Sequence, residues 1–123
     1  MSNLIELTIE EYLERPIPIT ELNEYGTYTP RHSVVVVDDK KLKLKVYVVN
    51  NGDGFVFGVS YEYSSGGGGW YPSKENIPIK DKSKGLALML DDLKGYSTLE
   101  KYAQYIDKAK KKLMVKQLTI FDL

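Results

Sequence analysis

Between residues 34 and 63 the alternation of apolar and polar positions fits an extended chain. Val34-Val35-Val36-Val37 is a short β-branched run closed by Asp38-Asp39-Lys40. Branching at Cβ fits a pleated strand better than a helix. Leu42, Leu44, Val46 and Val48 then alternate with Lys41, Lys43, Lys45 and Tyr47, a period of two that buries one face and leaves the other basic. Asn50-Asn51-Gly52-Asp53-Gly54 predicts a turn, because Asn and Gly accept positive φ at little cost. The next strand puts Phe55, Phe57, Val59, Tyr61 and Tyr63 on one face, with Val56, Gly58, Ser60 and Glu62 opposite. Short connections make the three strands an antiparallel meander.

On either side the period lengthens to that of helices. Thr8-Ile9-Glu10-Glu11 has the form of a capping box and predicts a short N-terminal helix. Pro16 and Pro18 stop it, since proline lacks the amide that a helix interior needs. Residues 16–30 read as extended or looped chain, with Ile19, Tyr25 and Tyr28 covering part of the body. After Ser64-Ser65 and the glycines 66–69, which read as a flexible break, Leu86, Met89, Leu90 and Leu93 recur at helical spacing and Gly95 is placed to end that helix. Ser97-Thr98-Leu99-Glu100 reads as a second capping box, opening a stripe of Leu99, Tyr102, Ala103, Ile106 and Leu113 that should fray near Val115. The expected fold is α+β: a three-stranded antiparallel meander, two C-terminal helices packed on one face, and a short N-terminal helix. The expected organisation is a single domain over residues 1–115 and a C-terminal peptide over 116–123.

Composition narrows the function more than the fold. A chain of 123 residues with zero formal net charge is not built to hold nucleic acid by bulk electrostatics. No cysteine is present, which excludes disulfides and thiolate metal sites. No apolar run is long enough to cross a bilayer, and Met1-Ser2-Asn3-Leu4 lacks the basic start of a secretory signal. A cytoplasmic protein is the expectation. Charge is uneven along the chain, acidic from Glu6 to Glu24 and basic from Lys101 to Lys116. That pattern favours two solvated faces matched within the molecule over an interaction surface.

The last residues carry the strongest chemical signal. Gln117-Leu118-Thr119-Ile120-Phe121 resembles the bacterial sliding-clamp-binding motif, whose usual form is Gln-Leu-Ser/Asp-Leu-Phe. Gln117, Leu118 and Phe121 match directly, Ile120 replaces Leu, and Thr119 keeps the hydroxyl of Ser. The resemblance covers only these residues. It implies that Gln117 bonds at a pocket rim while Leu118, Ile120 and Phe121 fill apolar subsites on the clamp. The alternative is that the segment folds back as an edge strand and buries Phe121 in its own core, for which Thr119, Ile120 and Phe121 have adequate strand propensity.

Two further surfaces are candidates. Lys41, Lys43 and Lys45 beside Tyr47, with Lys110, Lys111 and Lys112 on the last helix, would suit single-stranded nucleic acid if aromatic rings lay exposed beside them. Trp70 and Tyr71 would anchor a protein partner or an inhibitory contact. The glycine run is neither a P-loop nor a dinucleotide fingerprint, because no Lys-Ser/Thr pair and no helix follow it. No catalytic residue, metal site or cofactor is expected. His32 is the single histidine, and neighbouring Asp38-Asp39 and Asp91-Asp92 point apart. The sequence thus reads as a non-enzymatic bacterial, phage or plasmid-type accessory protein docking on the DNA polymerase sliding clamp, with nucleic-acid binding or an aromatic protein-binding patch as the alternatives.

Overall fold

A computed structural model describes residues 4–121, with side chains described through Lys116. The order is β1 (Ile5–Leu7), α1 (Ile9–Glu14), β2 (His32–Asp38), β3 (Leu42–Asn50), β4 (Phe55–Tyr63), β5 (Gly66–Trp70), α2 (Lys82–Lys94), a 3-10 turn (Glu100–Tyr102) and α3 (Ala103–Phe121). The strands form one sheet in sequence order, β1-β2-β3-β4-β5. β1 runs parallel to β2, and the other neighbours are antiparallel. The fold is therefore α+β, as expected, but the three-stranded meander lies inside a five-stranded mixed sheet.

Alternation sets the two faces. Leu42, Leu44, Val46 and Val48 of β3 and Val59 of β4 are wholly buried against Tyr12, Leu86, Leu90, Leu99, Ile106 and Leu113 of the helical layer. On the opposite face Tyr28, Val49 and Val56 form a second small cluster. Register places Lys43 across from Glu62, Lys45 across from Ser60 and Tyr47 across from Gly58 on that outer face.

Local chemistry fixes the helix ends. Glu11 N–H donates to Thr8 Oγ1 at 3.1 Å and Thr8 N–H to Glu11 Oε1 at 3.0 Å, so the first capping box forms. Asp81 caps α2 by accepting from the amides of Ser83 and Lys84. The second expected box does not form: Leu99 is the N-cap of the 3-10 turn and makes no side-chain cap bond. The chain tightens through Glu100–Tyr102 before α3 begins. α3 also runs through Phe121, past the expected fraying point at Val115.

Candidate functional site

The glycine run expected as a flexible break is a strand. β5 pairs with β4 from Tyr63↔Gly66 to Val59↔Trp70, and close approach explains the glycines at 67 and 69. A Cβ on Gly58 would lie 2.3 Å from Trp70 O, and one on Gly69, whose φ is +154°, would lie 2.2 Å from Val59 O. Real side-chain carbons do not come that near to backbone oxygens, so any other residue would force the β4–β5 ribbon apart.

β5 is also the outer edge of the sheet, and all five of its residues are exposed. Strand edges carry unmet N–H and C=O groups, which proteins usually protect with charges, proline, bulges or shortness. The opposite edge has such protection. β1 is three residues long, and Glu6 on it is bonded to Lys45 of β3. β5 has neither charge nor proline among Gly66–Trp70.

Aromatic side chains flank this edge on both faces. Trp70 packs on Tyr96 with ring centroids 5.5 Å apart, and Tyr71 meets Tyr47 edge-on at 5.2 Å. Trp70 and Tyr71 remain 37% and 50% exposed, so the two expected partner-binding residues are available at the surface. Tyr61 and Tyr63 turn to the helical side, where Tyr63 packs on Tyr102 and Lys101 lies over both Tyr63 and Tyr102. One open depression of about 520 Å³ is lined by Tyr63, Ser65, Ser97, Thr98, Glu100 and Lys101. A second, of about 370 Å³, is lined by Tyr47, Ser60, Gly68, Gly69, Trp70 and Tyr71. The sequence pattern places Tyr102 in a helical stripe and Lys101 in a basic segment and does not single out Tyr96; folding brings the three beside β4 and β5.

The candidate nucleic-acid residues do not gather into one basic surface. Lys45 is engaged by Glu6, and Lys43 faces Glu62 on one side and Asp38 on the other. Lys41 lies in the turn before β3, its amide bonded to Asp39 at 2.9 Å. Lys110 donates to both oxygens of Asp91 at 2.8 Å, a contact that holds the Asp91 carboxyl below its ordinary pKa. Lys111 and Lys112 are exposed on α3, away from the β3 lysines. The aromatics meant to stack bases are divided between two faces and packed on one another.

The clamp-motif residues Gln117, Leu118, Ile120 and Phe121 have helical backbone at the end of α3, and their side chains lie outside the described residues. Helical backbone through Phe121 does not match the edge-strand alternative. Among the described side chains of α3, Leu113 is the last that is wholly buried, Met114 is 52% exposed, and Lys116 reaches Glu10 of α1 at 3.4 Å. That ion pair is also where the acidic and basic ends of the chain meet.

His32 is buried at the start of β2, and its pKa lies below the ordinary value of 6.5, first through burial and then through the nearby charges of Arg15 and Arg31. Among the described residues no group of three His, Cys, Asp or Glu side chains converges as metal ligands would. No family model, curated protein or solved structure matches this chain.

Proposed function

We propose that this chain is a non-enzymatic accessory protein, of a bacterial, phage or plasmid type, that docks on the DNA polymerase sliding clamp through Gln117, Leu118, Ile120 and Phe121. The observation that carries the reading is the five-residue resemblance of Gln117-Leu118-Thr119-Ile120-Phe121 to the clamp-binding motif. Leu113, four residues before the peptide, is wholly buried, and the Lys116–Glu10 pair ties down the turn just before it.

Docking has a conformational requirement. A continuous helix holds positions two apart on opposite sides, whereas an extended chain returns them to the same side. Leu118 and Ile120 therefore reach neighbouring apolar subsites once the end of α3 unwinds. Its cost is small: the last carbonyls of any helix lack intrahelical partners, and Thr, Ile and Phe are mediocre helix formers. A labelled peptide spanning Lys116 to Leu123 should bind bacterial clamp saturably in fluorescence polarisation. Gln117→Ala and Phe121→Ala should each weaken it by about tenfold or more, as loss of a buried anchor does. No binding at high micromolar clamp would remove the proposal.

Nucleic-acid binding fits less well, because Lys45 and Lys110 are already engaged by carboxylates. A protein-binding role for the Trp70 region is favoured by the uncovered edge beside it, whose occupant can be specified further.

A further inference from the structure

We propose that the outer edge of β5 is a docking site for an extended, uncharged peptide strand of a partner protein, added to the sheet as a sixth strand. The backbone chemistry names the class of ligand. An edge strand presents its alternate N–H and C=O groups in a row, and the complement of such a row is another extended polypeptide. Among the described residues no strand pairs with β5 on its outer side.

The glycines make the edge receptive. They leave no side chains on Gly66–Gly69 to screen the backbone. An added strand projects successive side chains to opposite faces; the first depression includes Tyr63 of the helical face, and the second takes in Tyr47 and Ser60 of the outer face with Trp70 at the end of the strand. One holds Ser65, Ser97 and Thr98 hydroxyls with Lys101 and Glu100 beside Tyr63. The other is walled by Tyr47, Trp70 and Tyr71. The partner strand accordingly alternates hydrogen-bonding side chains on the helical side with apolar or aromatic ones on the outer side.

Charge and shape select among the possible occupants. β5 is uncharged, and Lys101 and Glu100 give the polar depression one charge of each sign. An uncharged strand complements that balance better than a phosphate backbone, which needs net positive charge along its track. A second copy paired β5 to β5 would set glycine against glycine and fill neither depression.

The test is selection from displayed peptides of about seven residues, the usual strand length, alternating Thr, Asn or Gln with Phe, Leu, Val or Tyr. The same residues in non-alternating order serve as the control library, and the intact chain is the target. Selected peptides should slow hydrogen exchange of the Gly66–Trp70 amides by about tenfold or more, as new strand pairing does. Gly66→Lys should weaken them by a similar factor. A Cβ at Gly66 meets the Tyr63 side chain, nearest at its hydroxyl oxygen at 3.5 Å, so this variant keeps the fold while placing a charge on the edge. Trp70→Ala should weaken them as well. The proposal is overturned if alternating peptides are not enriched over the control, or if they bind without slowing β5 exchange. Protection that rises with chain concentration alone would assign the edge to a second copy and overturn it too. Protection given by single-stranded DNA and not by peptides would have the same force. The clamp peptide takes no part in this test, so the two proposals fail separately.

Discussion

At the residue scale, identical glycines have different jobs. Gly69 has φ +154° and no room for a Cβ beside Val59 O, whereas a Cβ on Gly66 makes only an ordinary contact with Tyr63. Gly69→Ala should therefore cost more than about 1 kcal/mol, while Gly66→Ala should be neutral or slightly stabilising because it restricts the unfolded chain. Urea midpoints of the two variants check this, and equal losses would contradict it. His32 supplies a pH dependence of definite sign. Its folded pKa is lowered from 6.5, so on acidification the unfolded chain takes up the proton first. The stability linked to this group is fully present above the unfolded value and is lost as pH falls below it. His32→Gln should flatten that part of the stability curve measured from about pH 7.5 to about pH 5.5.

At the scale of elements, what was legible in the sequence depended on whether an element declares itself locally. β3 and β4 do so, through alternation, and Leu42, Leu44, Val46, Val48, Phe57 and Val59 face the core as expected. The Thr8 capping box does so as well. β5 does not, because glycine has almost no strand preference of its own. Its strand character comes from the approach of β4, a tertiary effect that composition presents as flexibility. β1 is too short for a period to show, and its parallel pairing with β2 at Ile5↔His32 depends on the long return through residues 15–31. Ser97-Thr98-Leu99-Glu100 has the letters of a capping box, yet the tight turn through Glu100–Tyr102 takes the place of a regular first helical turn. The candidate site followed the same division: the linear motif was visible as letters, whereas the edge and its two depressions needed the fold. On α3 two neighbouring positions give a direct check. Leu113 is wholly buried and Met114 is half exposed. Leu113→Ala should cost about 2–5 kcal/mol, and Met114→Ala should stay within about 0.5 kcal/mol, both measured by thermal or urea unfolding.

At the scale of the whole molecule, the two edges of the sheet are built differently. The β1 edge is short and tied by the Glu6–Lys45 contact, and beside it Glu10 of α1 holds Lys116 at the root of the peptide. The β5 edge, at the other side of the sheet, is uncharged and has no strand paired on its outer side among the described residues. A body that uses one side to present a docking peptide and the other to receive a strand would connect two proteins without catalysing anything. Zero net charge, with Lys94 paired to Asp107 and Lys110 to Asp91, suits such an adaptor better than a nucleic-acid binder. The measurement that bears most directly on this account is calorimetric titration of the intact chain into bacterial sliding clamp, beside the Gln117→Ala and Phe121→Ala variants. The account predicts saturable binding by the intact chain, weakened by about tenfold or more in each variant. Absence of binding, or equal binding by all three chains, would contradict it.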